Sequence, residues 1–236
     1  MARDDLTGLL QRLRQAARAG ADLSAAQPAE VSRLLRLDAV TLSLLPTRGS
    51  PELLWSDPAD TLGRALEDMQ YTLAEGPTFD AARTGEPVTE TDLAAAPADR
   101  WPLFTPAACD TPARAVIAHP LLLGVVTAGV LTGYRTTPGP LLPSQRQDIA
   151  RFARIALDLL LHTPPHALTT GSGGPDGPDL QRAEVHQAAG KLTVYLDISI
   201  DDALLRLRAH AWRHNQALPD VARAVITGRL RLDPDT

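Results

Sequence analysis

Leu6, Leu9, Leu10, Leu13, Ala16 and Ala17 recur three and four residues apart with arginines between them, which predicts an amphipathic helix over 4–19. Gly20 supplies its C-cap. A second helix is expected from Ser24 or Pro28 to Arg36. The alternation in Ala39-Val40-Thr41-Leu42-Ser43-Leu44 predicts a strand, and Glu52-Leu53-Leu54-Trp55 predicts its neighbour across a turn rich in Pro, Arg, Gly and Ser. Residues 60–69 read as a helix. Residues 70–92 read as irregular, with Gly76-Pro77 and Gly85-Glu86-Pro87 bracketing a short helix, and Trp101-Pro102-Leu103-Phe104 opens another. Two apolar runs, Ala115–Leu123 and Val125–Tyr134, meet at a tight turn through Gly124. Pro143 then begins a long helix with Ile149, Phe152, Ala153, Ala156, Leu159 and Leu160 on its apolar side. Helices, strands, a loop-and-helix excursion and two further strands predict an α+β domain over 1–162.

Residues 163–179 are rich in Pro, Gly, Ser and Thr and read as a flexible linker. Its Gly171-Ser172-Gly173-Gly174 stretch imitates a phosphate-cradling loop, but it follows no strand and has no Lys-Ser/Thr after it. From 180 to 236 the pattern becomes helical throughout. Val185, Ala188, Ala189, Leu192 and Leu196 mark one helix. Ile200, Ala203, Leu204, Leu207 and Ala211 mark a second, opened by Ser199 with Asp202 three residues on. Leu218, Val221, Ala222 and Val225 mark a third, beginning near Pro219. Three amphipathic helices with short connections predict a small all-α bundle.

Charge changes this picture little. The chain carries a net −5, while residues 180–236 carry +1. Strong nucleic-acid binders are usually plainly basic, so clustered arginines here are a modest electrostatic signal. Cys109 is the only cysteine, which excludes an intrachain disulfide and any paired-thiol metal or redox motif. The histidines at 119, 162, 166, 186, 210 and 214 have no metal-ligand spacing with carboxylates or thiols, and no metal is expected. No secretory signal and no apolar stretch of membrane-spanning length is legible, so a cytoplasmic protein is expected. No nucleophile elbow or other catalytic constellation is present, and an enzyme is not expected.

The C-terminal stretch resembles the ANTAR domain, an RNA-binding three-helix module of transcription antiterminators. The residues that carry the resemblance are Val185-His186-Gln187-Ala188-Ala189-Gly190, then Ser199, Asp202, Ala203 and Leu207-Arg208-Ala209-His210-Ala211. Asn215, Leu218 and Asp220-Val221-Ala222 complete it. One departure is that Ala189 stands where the family usually has lysine, and the only lysine, Lys191, lies two positions later. The resemblance implies binding of RNA hairpins in nascent transcripts, so that a terminator does not form. Arg206, His210 and Arg213, at i, i+4 and i+7, would form a donor stripe joined by Arg208 and, on the first helix, by Arg182, His186, Gln187 and Lys191. Small Ala189 and Gly190 would admit a loop backbone, although helix packing explains them equally well. Trp212 is expected to pack on the third helix or on another subunit rather than on a base. A helix-turn-helix DNA regulator and a protein-docking module without nucleic acid are the competing readings.

The front half resembles the GAF domain, a small-molecule sensing and dimerising module. The resemblance rests on Gln70-Tyr71, Leu73, Glu75-Gly76-Pro77, Asp80-Ala81, Gly85-Glu86-Pro87-Val88, Asp92-Leu93, Trp101-Pro102-Leu103-Phe104, the late strands and Tyr134-Arg135. It implies an antiparallel sheet with flanking helices and a pocket whose candidate lining is Tyr71, Glu75, Phe79, Trp101, Phe104 and His119. No fixed cofactor is implied, only an unidentified small molecule or an upstream signalling protein. The same residues also read as ordinary core packing, and a pocket filled by its own side chains would leave a dimerising role. The leucine-rich faces of the first and last helices of this half predict a homodimer.

Overall fold

The computed structural model describes residues 2–46, 50–164, 178–214, 216 and 218–232, without the side chains of 2, 3 and 178–182. The chain divides into two compact units, before and after Gly171/Ser172. Residues 165–177, most of the expected linker and its glycine-rich stretch, lie outside the described residues, as does Asn215.

The N-terminal unit is built on five strands, β1 (Ala39–Leu44), β2 (Glu52–Ser56), β3 (Val88–Glu90), β4 (Ala115–Leu123) and β5 (Val126–Arg135). Their order is β2-β1-β5-β4-β3, and every neighbouring pair is antiparallel. Both faces are covered. Helices α1 (Ala2–Arg18), α2 (Pro28–Leu35) and α6 (Pro143–His162) pack on Val40, Leu42, Ile117, Leu121 and Leu131. Helices α3 (Thr61–Leu73), α4 (Pro77–Thr84) and α5 (Phe104–Cys109) cover the opposite face, against Ala39, Val116, Ala118, Val130 and Tyr134.

Local chemistry sets the helix starts. Pro28, Pro77 and Pro143 each stand at a first helical turn, where a missing amide costs nothing. The Asp60 carboxylate accepts from Leu62 N and Gly63 N and caps α3. Expectation and structure differ at β3. Residues 88–90, expected to be irregular, pair with β4 at the sheet edge, and the strand is too short to show alternation.

The leucines expected to form a dimer face are spent inside the protomer. Leu6, Leu9, Leu10 and Leu13 of α1 and Phe152, Ile155, Leu159 and Leu160 of α6 are all buried in one core.

The C-terminal unit contains α7 (Pro178–Leu196), α8 (Ile200–Arg213) and α9 (Leu218–Ile226), which pack mutually. The predicted apolar faces supply the interior: Val185, Ala188, Ala189 and Leu192, then Ala203, Leu204, Leu207 and Ala211, then Leu218, Val221, Ala222 and Val225. Ser199 Oγ accepts from Asp202 N at 3.1 Å, as its position predicts. The Arg223 guanidinium spans to both oxygens of Glu184 and holds α9 to α7. Among the described residues no helix is long and apolar enough to cross a membrane.

Candidate functional site

Beneath α3 and α4 the sheet carries a cluster of buried polar side chains set among its apolar ones. Thr41 and Ser43 rise from β1, and Thr132 and Tyr134 rise from β5. The register that places Thr41 opposite Thr132 brings the two strands' polar groups together. Glu67 and Gln70 descend from α3, and Thr78 from α4. None of the seven is more than 3% exposed.

Glu67 is the hub. Its Oε1 accepts from Thr41 Oγ1 at 2.9 Å, Tyr134 OH at 2.8 Å and Thr78 Oγ1 at 3.2 Å, and its Oε2 accepts from Ser43 Oγ at 3.2 Å. Four hydroxyl donors converging on one group is an arrangement that a carboxylate, which is acceptor-only when ionised, can use in full. Gln70 completes the circuit. Its Nε2 donates to Thr78 Oγ1 at 2.9 Å and to Tyr134 OH at 2.8 Å, and its Oε1 accepts from Thr78 N at 2.7 Å. The glutamine therefore does the work of a helix cap for α4, whose N-cap Gly76 has no side chain. Gly76 sits at φ +127, and a Cβ there would come within 2.5 Å of Gln70 Oε1. Only glycine meets both demands.

Burial, and next the negative field of Glu67, hold the Tyr134 phenol well above its usual value near 10. The folded unit keeps this proton while an unfolded chain releases it, so the stability contribution is complete below about pH 10 and is lost as pH rises beyond it. Urea midpoints of the wild type are therefore expected to fall more steeply between pH 9.5 and 11 than those of Tyr134→Phe. Parallel curves would contradict this.

The six expected pocket residues do not lie on one face of the sheet. Tyr71, Trp101 and Phe104 are buried, and Trp101 and Phe104 belong to the core beneath α3–α5. Their rings meet edge to face at 6.1 Å, and Trp101 Nε1 donates to Asp80 Oδ2 at 3.1 Å. Glu75 serves a different purpose: its Oε1 accepts from Leu103 N and Phe104 N and caps α5. Phe79 is half-buried on α4. His119 falls by strand alternation with Ile117 and Leu121, on the α1/α6 face. Burial holds its imidazole below the ordinary histidine value, against a smaller opposing effect of the Pro120 carbonyl.

In the C-terminal unit the expected contact residues separate. Ala189 is fully buried in the helix interface and offers no surface. Lys191 is exposed, and its Nζ reaches the end of α9, donating at 3.0 Å to the carbonyls of Val225 and Ile226. Arg182's side chain lies outside the described residues. His186 is half-buried and Gln187 exposed on α7. Arg206, His210 and Arg213 keep their common row on α8, with Arg213 exposed and the others half-buried. Arg208, two residues from Arg206, falls about 200° away on the far flank. His210 stacks on His214 at 4.1 Å between ring centroids. Burial, and then the charges of His214 and Arg213, hold His210 below its ordinary value. Trp212 is 62% exposed.

Gly190 is the residue whose presence packing does not explain. It sits inside α7, where glycine is unfavourable, yet a Cβ there would meet nothing within 4 Å. Gly190→Ala is expected to stabilise the chain by about 0.5–1 kcal/mol in thermal unfolding. A loss of stability would mean that the helix needs the glycine after all.

Among the described residues no group of three or more metal-ligating side chains gathers. Solved structures share the fold of the N-terminal unit, GAF domains among them. The GAF domain of a phosphoenolpyruvate-protein phosphotransferase from Acinetobacter superposes with a TM-score of 0.50 at 15% identity, covering 66% of this chain and 93% of that one. The GAF domain of a phosphoenolpyruvate-protein phosphotransferase from Coxiella burnetii gives 0.50 and 15%, covering 67% and 94%. A type II free methionine-R-sulfoxide reductase from Thermoplasma acidophilum gives 0.44 and 16%, covering 63% and 94%. No protein-family model and no curated protein matches the sequence. At this identity the likeness establishes a GAF-type fold and leaves the chemistry to the site.

Proposed function

We propose that the chain is a two-part regulator in which the GAF-fold unit receives a signal and the C-terminal helices bind hairpin loops of nascent RNA, as in transcription antitermination. The row of Arg206, His210 and Arg213 on α8 carries this reading. It lies outside the unit's core, it combines guanidinium groups for phosphates with an imidazole ring for bases, and it belongs to the stretch that resembles ANTAR. Gly190 on α7 supports it, since an open glycine lets a backbone approach that any larger residue would obstruct. The reading assigns binding, and no catalytic step, to both units. Glu67, Gln70, Thr78, Thr132 and Tyr134 occupy the interior between sheet and helices, which favours an upstream protein acting on the unit's surface over a small molecule in that interior.

The test is titration of the full chain against hairpin RNAs with varied loops, with duplex DNA as competitor, at several salt concentrations. Preference for particular loops over their stems and over duplex is expected. Tighter binding to duplex DNA would favour the helix-turn-helix reading. No binding to either at low salt would remove the nucleic-acid role.

A further inference from the structure

Two of the chain's three tryptophans are core residues with an acceptor for the indole N–H. Trp55 is 8% exposed and donates to the Ala26 carbonyl at 2.9 Å, and Trp101 is 1% exposed and donates to Asp80. Trp212, in the last turn of α8, is 62% exposed. Ala209, one turn before it, is exposed too and is too small to shield the ring. A large flat apolar surface held in water gains free energy when something covers it.

The charges around the ring say what the cover is. At 100° per residue, Trp212 points away from the unit's interior, with Arg208 about 40° to one side and Arg213 about 100° to the other. From Ala203 to His214, α8 carries three arginines, two histidines and no carboxylate. The neighbouring helices bring Glu184, near the start of α7, and Asp220, in the first turn of α9, to this end, and both pair with Arg223. The surroundings of the ring are therefore cationic, which favours a polyanion. Asp201 and Asp202 stand about 15–17 Å back along the axis, and Asp201 is on the same line as Trp212 and the exposed Leu205. A long anionic surface laid on this line would meet that aspartate along with the ring, whereas a single nucleotide at the tryptophan end does not. An acidic peptide satisfies the arginines but brings no flat face. An unpaired nucleotide brings both a phosphate and a ring.

We infer that Trp212 is a base-stacking residue: one unpaired base of the bound RNA lies on its indole, with Arg208 and Arg213 placed for the phosphates on either side. The inference rests on the RNA-binding reading above and adds the residue that holds a loop base. A two-ring base overlaps an indole more fully than a one-ring base, so a purine is preferred at that loop position.

Titration of the full chain with hairpin RNA, read by tryptophan fluorescence and acrylamide quenching, tests it. Trp55 and Trp101 are buried, so the quencher-accessible signal of the free chain belongs to Trp212. RNA should dim that signal and shield it from acrylamide. Trp212→Leu, apolar but without a ring, should weaken binding roughly tenfold, and Trp212→Phe should keep most of the affinity. The salt slope should stay as in wild type for both, since neither change removes a phosphate contact. In the wild-type chain, an abasic site at one loop position should weaken binding about as much as Trp212→Leu does, and it should cost Trp212→Leu nothing further. The abasic arm needs no protein variant, so a poorly folding one does not blunt the test. A wild type that binds hairpins while Trp212 stays as open to acrylamide as before overturns this inference and leaves the RNA-binding reading standing. So does an unchanged affinity in Trp212→Leu. Equal shielding by polyglutamate or by anionic phospholipid vesicles also overturns it, since charge alone would then cover the ring. A wild type that binds no hairpin removes the RNA-binding reading, and this inference with it.

Discussion

Glu67→Leu should cost the N-terminal unit about 3–5 kcal/mol, lowering its melting temperature by roughly 10 °C or more. The size follows from what the substitution strands. Thr41, Ser43, Thr78 and Tyr134 all point hydroxyls at this carboxylate, and each is buried without access to water. Leucine supplies volume but no acceptor, so several donors lose their partner together, at about 1–3 kcal/mol for a single unsatisfied group. Thr78→Val removes one hydroxyl from the shell and should cost less, about 1–2 kcal/mol. Glu67→Gln keeps one acceptor oxygen but brings N–H donors into a ring of donors, and should fall between the two. Calorimetry of the three variants tests this order. If Glu67→Leu melts within 2 °C of wild type, the cluster is not what fixes α3 and α4 on the sheet.

The second large effect concerns the proposed RNA surface. Arg206→Ala combined with Arg213→Ala should weaken hairpin binding by roughly 10–100-fold and reduce the slope of log affinity against log salt by about one to two. Both changes follow if each guanidinium displaces counterions from phosphate. A protein-docking surface would respond to the same variant without a shallower salt slope for RNA. Gly190→Ala provides the complementary reading. A variant that is more stable yet binds RNA less tightly would place the ligand backbone beside α7, whereas unchanged affinity would put the contact on α8 alone.

Much of the fold was legible because apolar period and stop signals agree. The run Ala39–Leu44 and the helix opened by Ser199 fall where alternation and capping chemistry place them. The polar cluster was not legible, for a definite reason. In a strand, Thr41 and Ser43 alternating with Val40 and Leu42 read as a solvent face, and the chain does not announce that helices cover both sides. Glu67 lies 67 residues before Tyr134, and only the sheet register brings them together. Gln70, quoted above as part of a family resemblance, has its physical reason in the amide of Thr78. At the C-terminal unit the periodicity gave the interior correctly, and the same arithmetic separates Arg208 from Arg206. Spacing alone was silent on Lys191, whose side chain had two equally reachable environments, solvent and the open carbonyls of α9.

That lysine leaves the chain with a single side-chain amine. Amine-directed acylation, whether by a chemical label or by an acetyl-transferring enzyme, has one internal target, and it is the group that closes the end of α9. Modification there would remove an ammonium that serves two carbonyls and would loosen the last helix, leaving the GAF-fold unit untouched. A chain acylated at Lys191 is therefore expected to lose its C-terminal helix at a lower temperature than the unlabelled chain.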